Sequence, residues 1–203
     1  MLSVEARSLG AALAFHTPTG FVALTPRSTN TAHVYATGDV PTASGWNAFP
    51  DPCASTGGNY ALGLASMVAP DTTRLFTLCY GPGHAGSETK LLMETRQGRS
   101  AVVGTPPALG DGGLLALSPS GTMLIVTSSG TTELDRSTDG GNSWSTVERL
   151  GGGGGASWRD LAFLSASEAV VVSRAFTVTA VPVSSNLLMS DDGGATWHRV
   201  PIG

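Results

Sequence analysis

Residues 137–144 read Ser-Thr-Asp-Gly-Gly-Asn-Ser-Trp, and residues 190–197 read Ser-Asp-Asp-Gly-Gly-Ala-Thr-Trp. The two stretches share one pattern, S-x-D-G-G-x-[ST]-W, at six of its eight positions. Chance hardly produces such a pattern twice in one chain. A repeat of this kind predicts that the chain is built from copies of one supersecondary unit.

Two weaker copies of the pattern precede these. Residues 90–100 align with residues 186–196, and they share the Leu-Leu-Met run and the second Gly. The earliest copy is Thr37-Gly38-Asp39, which is followed after a longer loop by Trp46. The four copies start 43 to 57 residues apart. This spacing is the length of a four-stranded sheet with its loops.

The composition favours short strands over helices. Apolar residues make up 41% of the 203 residues and charged residues 13%, with 27 Gly and 12 Pro. Frequent Gly and Pro favour many strands joined by turns. The net charge is −4 and Lys90 is the single lysine, so no basic surface is predicted for nucleic acid or for an anionic membrane. We therefore predict an all-β fold.

Apolar and β-branched runs bounded by turn residues predict the strands. In the last copy we expect strands at residues 159–164, 170–172, 186–189 and 196–200. In the first copy we expect them at residues 11–15, 21–25, 32–36 and 46–49. The middle copies place their second strands at residues 75–79 and 123–127. No segment predicts a helix.

At the repeated turns the sequence resembles the Asp-box, or BNR, repeats of β-propellers. Such repeats occur in sialidases, sortilin-like receptors, xyloglucan-degrading hydrolases and the photosystem II assembly propeller. The resemblance implies a single β-propeller domain over residues 1–203, with antiparallel four-stranded blades at about residues 2–49, 50–105, 106–149 and 150–203. It also implies that each box joins the third and fourth strands of a blade and lies away from the ligand face.

The residues of the two full boxes suit a structural role. The Asp carboxylates can accept hydrogen bonds from backbone N–H groups, the glycines supply positive φ, and the Trp rings can be buried between strands. A calcium loop would need further oxygen ligands where the Trp stands. The structural residues we expect are Ser137, Asp139, Gly141, Trp144, Ser190, Asp192, Gly194 and Trp197.

Two ring closures are consistent with four blades. Either the four blades form a small ring by themselves, or the chain is part of a larger propeller whose other blades come from another segment or another copy. Residues 2–9 alternate apolar and polar side chains, so they could add an edge strand that latches the ring. A homo-oligomer is expected if the ring is completed between chains.

In a propeller the loops that enter each blade, and those between the second and third strands, share the ligand face. The most promising group on that face is Trp158-Arg159-Asp160, which follows five consecutive glycines. The alternatives are a local ion pair of Arg159 with Asp160 and an inter-blade packing role for Trp158. Our ligand-binding candidates are Arg27, His84, Glu88, Asp111, Trp158, Arg159, Asp160 and Arg174, with Asn59 and Tyr60 on the same face.

Other kinds of site have no support in the sequence. The four His residues show no metal-ligand spacing, so we expect no metal. The glycine clusters lack the Lys-Ser/Thr ending of a phosphate loop, and no G-x-S-x-G elbow occurs. We therefore expect no cofactor and assign no catalytic residue. No apolar window approaches a membrane span, so no membrane insertion is expected.

The two cysteines predict a compartment. Cys53 and Cys79 are even in number, and the second lies in a predicted strand next to the segment that contains the first, so we expect a disulfide. Two buried free thiols are the alternative. The run at residues 11–15 is too short for a signal-peptide core. We expect a secreted, periplasmic or cell-surface protein whose leader lies outside this sequence.

Two functions compete. The first is a non-catalytic binding or scaffold propeller outside the cytoplasm that recognises a protein or a glycan through its loop face. The second is a glycoside hydrolase, either sialidase-like or xyloglucanase-like. A sialidase needs an arginine triad and an activated tyrosine, and the other class needs two carboxylates about 5 to 9 Å apart. The absence of a convincing acid/base pair favours the binding function.

Overall fold

The fold consists of short β-strands throughout. The computed structural model describes residues 9–16, 19–26, 32–42, 45–54, 62–82, 88–107, 113–129, 131–150, 156–176 and 182–201. No helix occurs in these ranges, so none is available to cross a membrane. The strands are β1 (Leu9–His16), β2 (Thr19–Pro26), β3 (His33–Thr37), β4 (Asn47–Phe49), β5 (Gly63–Val68), β6 (Arg74–Pro82), β7 (Glu88–Arg96), β8 (Arg99–Gly104), β9 (Leu114–Leu117), β10 (Met123–Ser129), β11 (Thr131–Ser137), β12 (Ser145–Leu150), β13 (Ala156–Phe163), β14 (Ala169–Phe176), β15 (Pro182–Ser190) and β16 (His198–Val200).

The strands form four sheets, each made of four strands in sequence order. We call them sheet 1 (β1–β4), sheet 2 (β5–β8), sheet 3 (β9–β12) and sheet 4 (β13–β16). Every strand pair with a described register is antiparallel. Successive antiparallel sheets of this size are the blades of a β-propeller, so the predicted all-β, four-bladed propeller fold class is confirmed.

The predicted strands overlap the observed ones, which mostly extend further. The predicted strand at residues 11–15 lies inside β1, which pairs with β2 from Leu9 opposite Pro26 to His16 opposite Thr19. The predicted strand at residues 170–172 lies inside β14. Of the proposed edge strand at residues 2–9, Leu9 begins β1, and residues 2–8 lie outside the described part of the chain.

The chain divides into two units, Met1–Val102 and Val103–Gly203, and the division falls within β8. In the first unit, sheets 1 and 2 enclose an apolar core. Its buried members are Ala14, Phe21, Ala23, Ala32, Val34, Cys53, Leu62, Leu64, Met67, Leu75, Cys79 and Met93. Phe21 and Phe49 meet edge to face, with ring centroids 5.3 Å apart.

The second unit has its own core between sheets 3 and 4. Its buried members are Ala116, Leu124, Val126, Leu134, Leu161, Ala169, Val171 and Leu188. One polar link also joins the two sheets, because Arg136 Nε donates a hydrogen bond to the Gly193 carbonyl at 2.8 Å. The Gly193 N–H in turn donates to the Ser167 carbonyl at 2.6 Å within sheet 4's loops. These bonds attach the turn at Gly193 to both sheets of the unit.

Cys53 and Cys79 form the predicted disulfide, with Cα atoms 5.5 Å apart. Both residues are fully buried. Cys79 lies in β6 opposite Leu64 and Leu91, whereas Cys53 follows sheet 1. The Asp51 carboxylate fixes the backbone next to Cys53. It accepts the N–H of Cys53 at 2.9 Å and that of Ala32 at 3.1 Å. The bridge therefore fastens the connection between sheets 1 and 2 to the interior of sheet 2.

Candidate functional site

Residues 137–144, here the Ser137 turn, and residues 190–197, the Ser190 turn, have nearly the same hydrogen bonds. In the Ser137 turn, Asp139 accepts the N–H of Ser143 at 2.9 Å and its hydroxyl at 2.5 Å. In the Ser190 turn, Asp192 accepts the N–H of Thr196 at 2.9 Å and its hydroxyl at 2.6 Å. The bonds at the carboxylates thus repeat from turn to turn.

The remaining polar groups of these turns are also paired within them. The Ser137 hydroxyl donates to Asp139 at 2.8 Å and accepts the Gly141 N–H at 2.9 Å. The indole of Trp144 donates to the Gly141 carbonyl at 2.9 Å. Ser190, Gly194 and Trp197 make the equivalent bonds in the second turn. The carboxylates are thus held by their own turns.

These contacts shift the pKa of both carboxyl groups. Hydrogen bonds from the Ser143 hydroxyl and N–H, and then from the Ser137 hydroxyl, lower the pKa of Asp139 to about 2. The pKa of Asp192 lies well below its usual value, mainly because the Thr196 hydroxyl donates a hydrogen bond to the carboxylate. A carboxyl whose folded-state pKa is lowered stabilises the fold above its unfolded pKa and loses this effect as the pH falls.

We expect Asp192→Ala to lower the melting temperature at pH 7 by roughly 5 °C, since several hydrogen bonds within the turn are lost together. Asp191→Ala is the matched control, because the Asp191 side chain is exposed and its ion pair with His198 spans 3.9 Å. The difference between the two variants should shrink as the pH falls below about 4, because the Asp192 carboxyl takes up a proton there in the unfolded chain while it stays ionised in the folded one. Equal melting temperatures of the two variants at pH 7 would contradict a structural role for Asp192.

The two weaker copies differ from each other. In sheet 1, Asp39 accepts the Thr42 hydroxyl at 2.6 Å, and its N–H donates to the Thr37 hydroxyl at 3.1 Å, as in the full turns. In sheet 2, a two-residue turn joins β7 to β8 instead. Gln97 and Gly98 have φ of 50° and 74°, as a type I′ hairpin turn requires.

This short turn corrects the predicted alignment of the third copy. The alignment places Glu94 opposite Ser190, but the buried hydroxyl residue of sheet 2 is Thr95, which is 2% exposed. The Thr95 and Ser100 hydroxyls lie 2.7 Å apart across the hairpin. Thr95 rather than Glu94 is therefore the position equivalent to Ser190, one residue later than the sequence alignment places it.

The ligand-binding candidates form three groups: residues outside the described ranges, residues whose backbone alone is described, and residues whose side chains are also described. Arg27, His84 and Asp111 lie outside the described residues, as do Asn59 and Tyr60. Glu88, Trp158 and Arg174 are placed by their backbone alone, and each lies in a strand where a loop position was expected. The side chains of Arg159 and Asp160 are described, and both residues are exposed.

Four candidates come together at one end of the β13–β14 hairpin. Trp158 pairs with Ser173 and Asp160 with Val172, so Arg159 is the extra residue of a β-bulge. Arg174 follows on the partner strand, opposite Ser157. Bulges often occur beside functional sites, because they re-aim a side chain. The Asp160 carboxylate accepts the N–H of Leu161 at 2.9 Å.

This end of sheet 4 is opposite the Ser190 turn. β15 ends at Ser190 opposite Ala169, which pairs with Phe163 at the far end of β13 from Trp158. Glu88 likewise begins β7, whereas the Gln97 turn follows the end of that strand. Within each of these sheets, the candidate residues and the turn therefore lie at opposite ends.

One contribution to the turns was missing from the sequence-based assignment. The pattern S-x-D-G-G-x-[ST]-W contains a hydroxyl residue before the Trp, and that hydroxyl donates to the Asp carboxylate in both full turns. The pattern itself carried this signal, since position seven is always Ser or Thr. Among the described residues, no three His, Cys, Asp or Glu side chains form a group that could hold a metal ion.

No protein-family model matches the chain, and no curated protein matches it. Solved structures do match it. A thermostable family-43 glycoside hydrolase is similar with a TM-score of 0.61 and 10% identity, over 95% of this chain and 72% of the enzyme. A Hadza microbial sialidase has a TM-score of 0.61 and 12% identity, over 96% of this chain and 46% of its own.

A prolyl endopeptidase is also similar, with a TM-score of 0.58 and 15% identity over 95% of this chain and 26% of its own. The chain thus spans less than half the length of the sialidase and about a quarter of the endopeptidase. A peptidase and glycosidases all match this chain. The structural similarity therefore does not indicate any one activity for it. At these identities the matches show a shared fold, the β-propeller.

Proposed function

We propose that the chain is an extracytoplasmic β-propeller module that binds a glycan at the sheet end opposite the Ser190 turn. The placement of Trp158, Arg159, Asp160 and Arg174 at one end of a bulged hairpin carries this proposal. A sugar presents apolar C–H faces together with hydroxyl groups that donate and accept hydrogen bonds. Trp, Arg and Asp residues offer contacts of both kinds, through an indole ring, a guanidinium and a carboxylate.

The disulfide supports the compartment. Bridges such as Cys53–Cys79 form and persist in oxidising surroundings, and they are rare in the cytosol. The bridge therefore supports a secreted, periplasmic or cell-surface position for this module. Glycans of the cell surface or of the surrounding medium are then the ligands within its reach.

The same proposal identifies the repeated turns as Asp-box repeats. The support is the shared pattern of hydroxyl and carboxylate bonds in sheets 1, 3 and 4. Both oxygens of Asp139 accept hydrogen bonds from the turn's own groups, and so do those of Asp192. This use of the carboxylates favours a structural role at the turns and a ligand site at the other sheet ends.

A glycoside hydrolase is the second candidate, because a family-43 glycoside hydrolase and a sialidase are among the proteins that share this fold. Hydrolysis of this type commonly needs two carboxylates about 5 to 9.5 Å apart. Asp160 would be one of the pair, since it is exposed and lies next to the bulge. Binding and hydrolysis therefore make different predictions for one residue.

The test measures binding and cleavage on the same protein. Sialosides and xyloglucan oligosaccharides are titrated by calorimetry, and their products are followed by chromatography. We expect binding without cleavage, and Trp158→Ala or Asp160→Asn should weaken that binding about tenfold or more. Asp191→Asn is the control, because its exposed carboxylate lies in the Ser190 turn.

Each outcome has a distinct meaning. Cleavage that Asp160→Asn abolishes would replace the binding function by the hydrolase. Binding that Asp191→Asn weakens as much as Asp160→Asn would remove the site from this end of sheet 4. If no glycan binds and a protein ligand is captured through Trp158 instead, the glycan proposal fails.

A further inference from the structure

Three arginines lie side by side on neighbouring strands of sheet 2. Arg74 in β6 pairs with Arg96 in β7. Arg96 is followed by the two-residue turn Gln97–Gly98, so the residue opposite it in β8 is Arg99. The hydroxyl contact across this hairpin fits the same register. Directly paired residues share one face of a sheet, and neighbouring strands lie about 4.8 Å apart. We call these three residues the arginine row.

The arginine row is unfavourable for the fold by itself. Like charges that lie directly opposite one another destabilise a sheet. The side chains of Arg74 and Arg96 are 38% and 63% exposed, and Arg99 is exposed as well, so water and salt screen part of the repulsion. The remaining repulsion is a local conflict within the sheet, and such conflicts are expected mainly at functional sites.

Two of the three guanidinium groups bind carboxylates of the chain itself. Arg74 Nε donates a hydrogen bond to Asp71 at 2.5 Å, and Arg96 Nη2 donates one to Glu94 at 2.8 Å. The hydrogen bond and the charge of Glu94 raise the pKa of Arg96, and the charge of Asp71 raises it further. The Asp71 carboxylate therefore acts on both arginines. These contacts show that carboxylates are the groups that the arginine row binds.

Arg99 has no such carboxylate. Among the residues that the structure describes, none accepts a hydrogen bond from its guanidinium or forms an ion pair with it. Arg96 uses one N–H in its bond to Glu94, and a guanidinium has five. Arg96 and Arg99 thus present further N–H donors on adjacent strands. A guanidinium binds a carboxylate through two parallel hydrogen bonds, so this pair suits one more carboxylate.

The arginine row lies at the turn end of sheet 2. Arg96 and Arg99 flank the Gln97 turn, whereas the ligand-binding candidate Glu88 lies at the other end of β7. The glycan site proposed above consists of residues of sheet 4. The arginine row is therefore a different site, and substitutions in it can be tested independently of Trp158.

We propose that the arginine row binds the carboxylate groups of an acidic glycan, a chain that contains uronic acid residues, and that Arg96 and Arg99 together hold one carboxylate. The choice of a glycan rests on the function proposed above. The choice of a carboxylate rests on Asp71 and Glu94, which already occupy two of the guanidinium groups. A single exposed ion pair contributes little, so a glycan with several acid groups should bind more tightly than one uronic acid.

Ligand-observed NMR titration with trigalacturonate at low ionic strength tests this site. We expect a dissociation constant of about 1 mM or below, which Arg99→Gln raises about tenfold or more. Arg99→Lys should raise it less, because lysine keeps the charge and loses the two parallel hydrogen bonds. The methyl ester of the same trisaccharide should bind at least about tenfold more weakly, since it carries no charge.

Arg199→Gln is the matched control for Arg99→Gln. Arg199 is an exposed arginine in the fourth strand of sheet 4, as Arg99 is in the fourth strand of sheet 2. The control should bind trigalacturonate as the wild type does. Arg99→Gln removes one of two like charges that face each other, so its melting temperature should equal or exceed that of the wild type. A lower melting temperature would show that Arg99 serves the fold and would overturn its role as a ligand-binding group.

Other results also decide against the proposal. These are a failure of trigalacturonate to bind at about 10 mM, equal binding of its methyl ester, and equal affinities of Arg99→Gln and Arg199→Gln. Equal binding of an acetylated and amidated triglutamate would replace the glycan by an acidic peptide and overturn the proposal in that way.

Trp158→Ala separates this site from the one proposed in sheet 4. We expect it to leave the binding of trigalacturonate unchanged, whereas Arg99→Gln should leave the binding of neutral xyloglucan oligosaccharides unchanged. Trigalacturonate binding that is lost in Trp158→Ala and kept in Arg99→Gln would overturn the arginine row as a site. Trigalacturonate binding that depends on Arg99 would support the row even if no neutral glycan binds through Trp158.

Discussion

Replacing Cys53 and Cys79 together by alanine is expected to lower the free energy of unfolding by about 3.5 kcal/mol. The two residues are 26 positions apart, so the bridge restricts a loop of that length in the unfolded chain. The chain-entropy account gives the stated value for such a loop. Urea titration under oxidising conditions measures it. The double variant also tests whether the covalent link, rather than the packing of two small side chains, stabilises the first unit.

A reducing agent provides the control for this prediction. Reduction of the wild type should lower its urea midpoint nearly to that of the double variant, whereas the variant itself should not respond. If reduced wild type, with both thiols shown to be free, keeps its oxidised midpoint, the bridge does not stabilise the fold. If the alanines leave cavities, the double variant should have a lower urea midpoint than the reduced wild type.

The second large effect is expected from Gly194→Ala, which should lower the free energy of unfolding by about 3 kcal/mol. Gly194 has a φ of +82°, and a Cβ placed there would lie 2.8 Å from Cδ2 of Leu124. Leu124 is fully buried in the core between sheets 3 and 4, so it has little room to move. The substitution therefore adds backbone strain to overpacking, and a urea titration measures their sum.

The preceding residue separates these two causes. Gly193 has a φ of +72°, but the nearest atom to a Cβ there is Nη2 of Arg136 at 3.6 Å. Gly193→Ala should therefore cost only the backbone strain, about 1.5 kcal/mol. Equal losses in the two variants would show that the contact with Leu124 relaxes without cost. The reverse order would contradict the placement of the Ser190 turn against sheet 3.

The repeated pattern predicted the architecture because it fixes both the position and the spacing of equivalent turns. In sheets 3 and 4 the end of the third strand is visible in the sequence as the Ser of Ser-x-Asp-Gly-Gly, and the spacing of the copies gives the number of sheets. The disulfide was predictable for a similar reason, since only one pair of cysteines exists. These features depend on residues that are close in sequence or unique in type.

Features that depend on distant contacts were not predictable. No local signal tells that Arg136 bonds to the Gly193 carbonyl, 57 residues away. The bulge in β13 was also missing, because the sequence there predicted a strand that starts at Arg159 rather than at Ala156. In sheet 2, loss of the Asp left nothing to mark the register, so the two-residue turn was unexpected. The candidate site shares this weakness, since it depends on which strands bring Arg174 near Trp158.

The bridge between Cys53 and Cys79 also sets how far the chain can be stretched. A force applied to the two ends cannot extend the segment between the cysteines while they are linked, because the tension passes through the sulfur atoms. The 26 positions that separate them correspond to about 90 Å of extended chain. The oxidised protein is therefore shorter by roughly that length when fully pulled out, and reduction under load restores it as a single step.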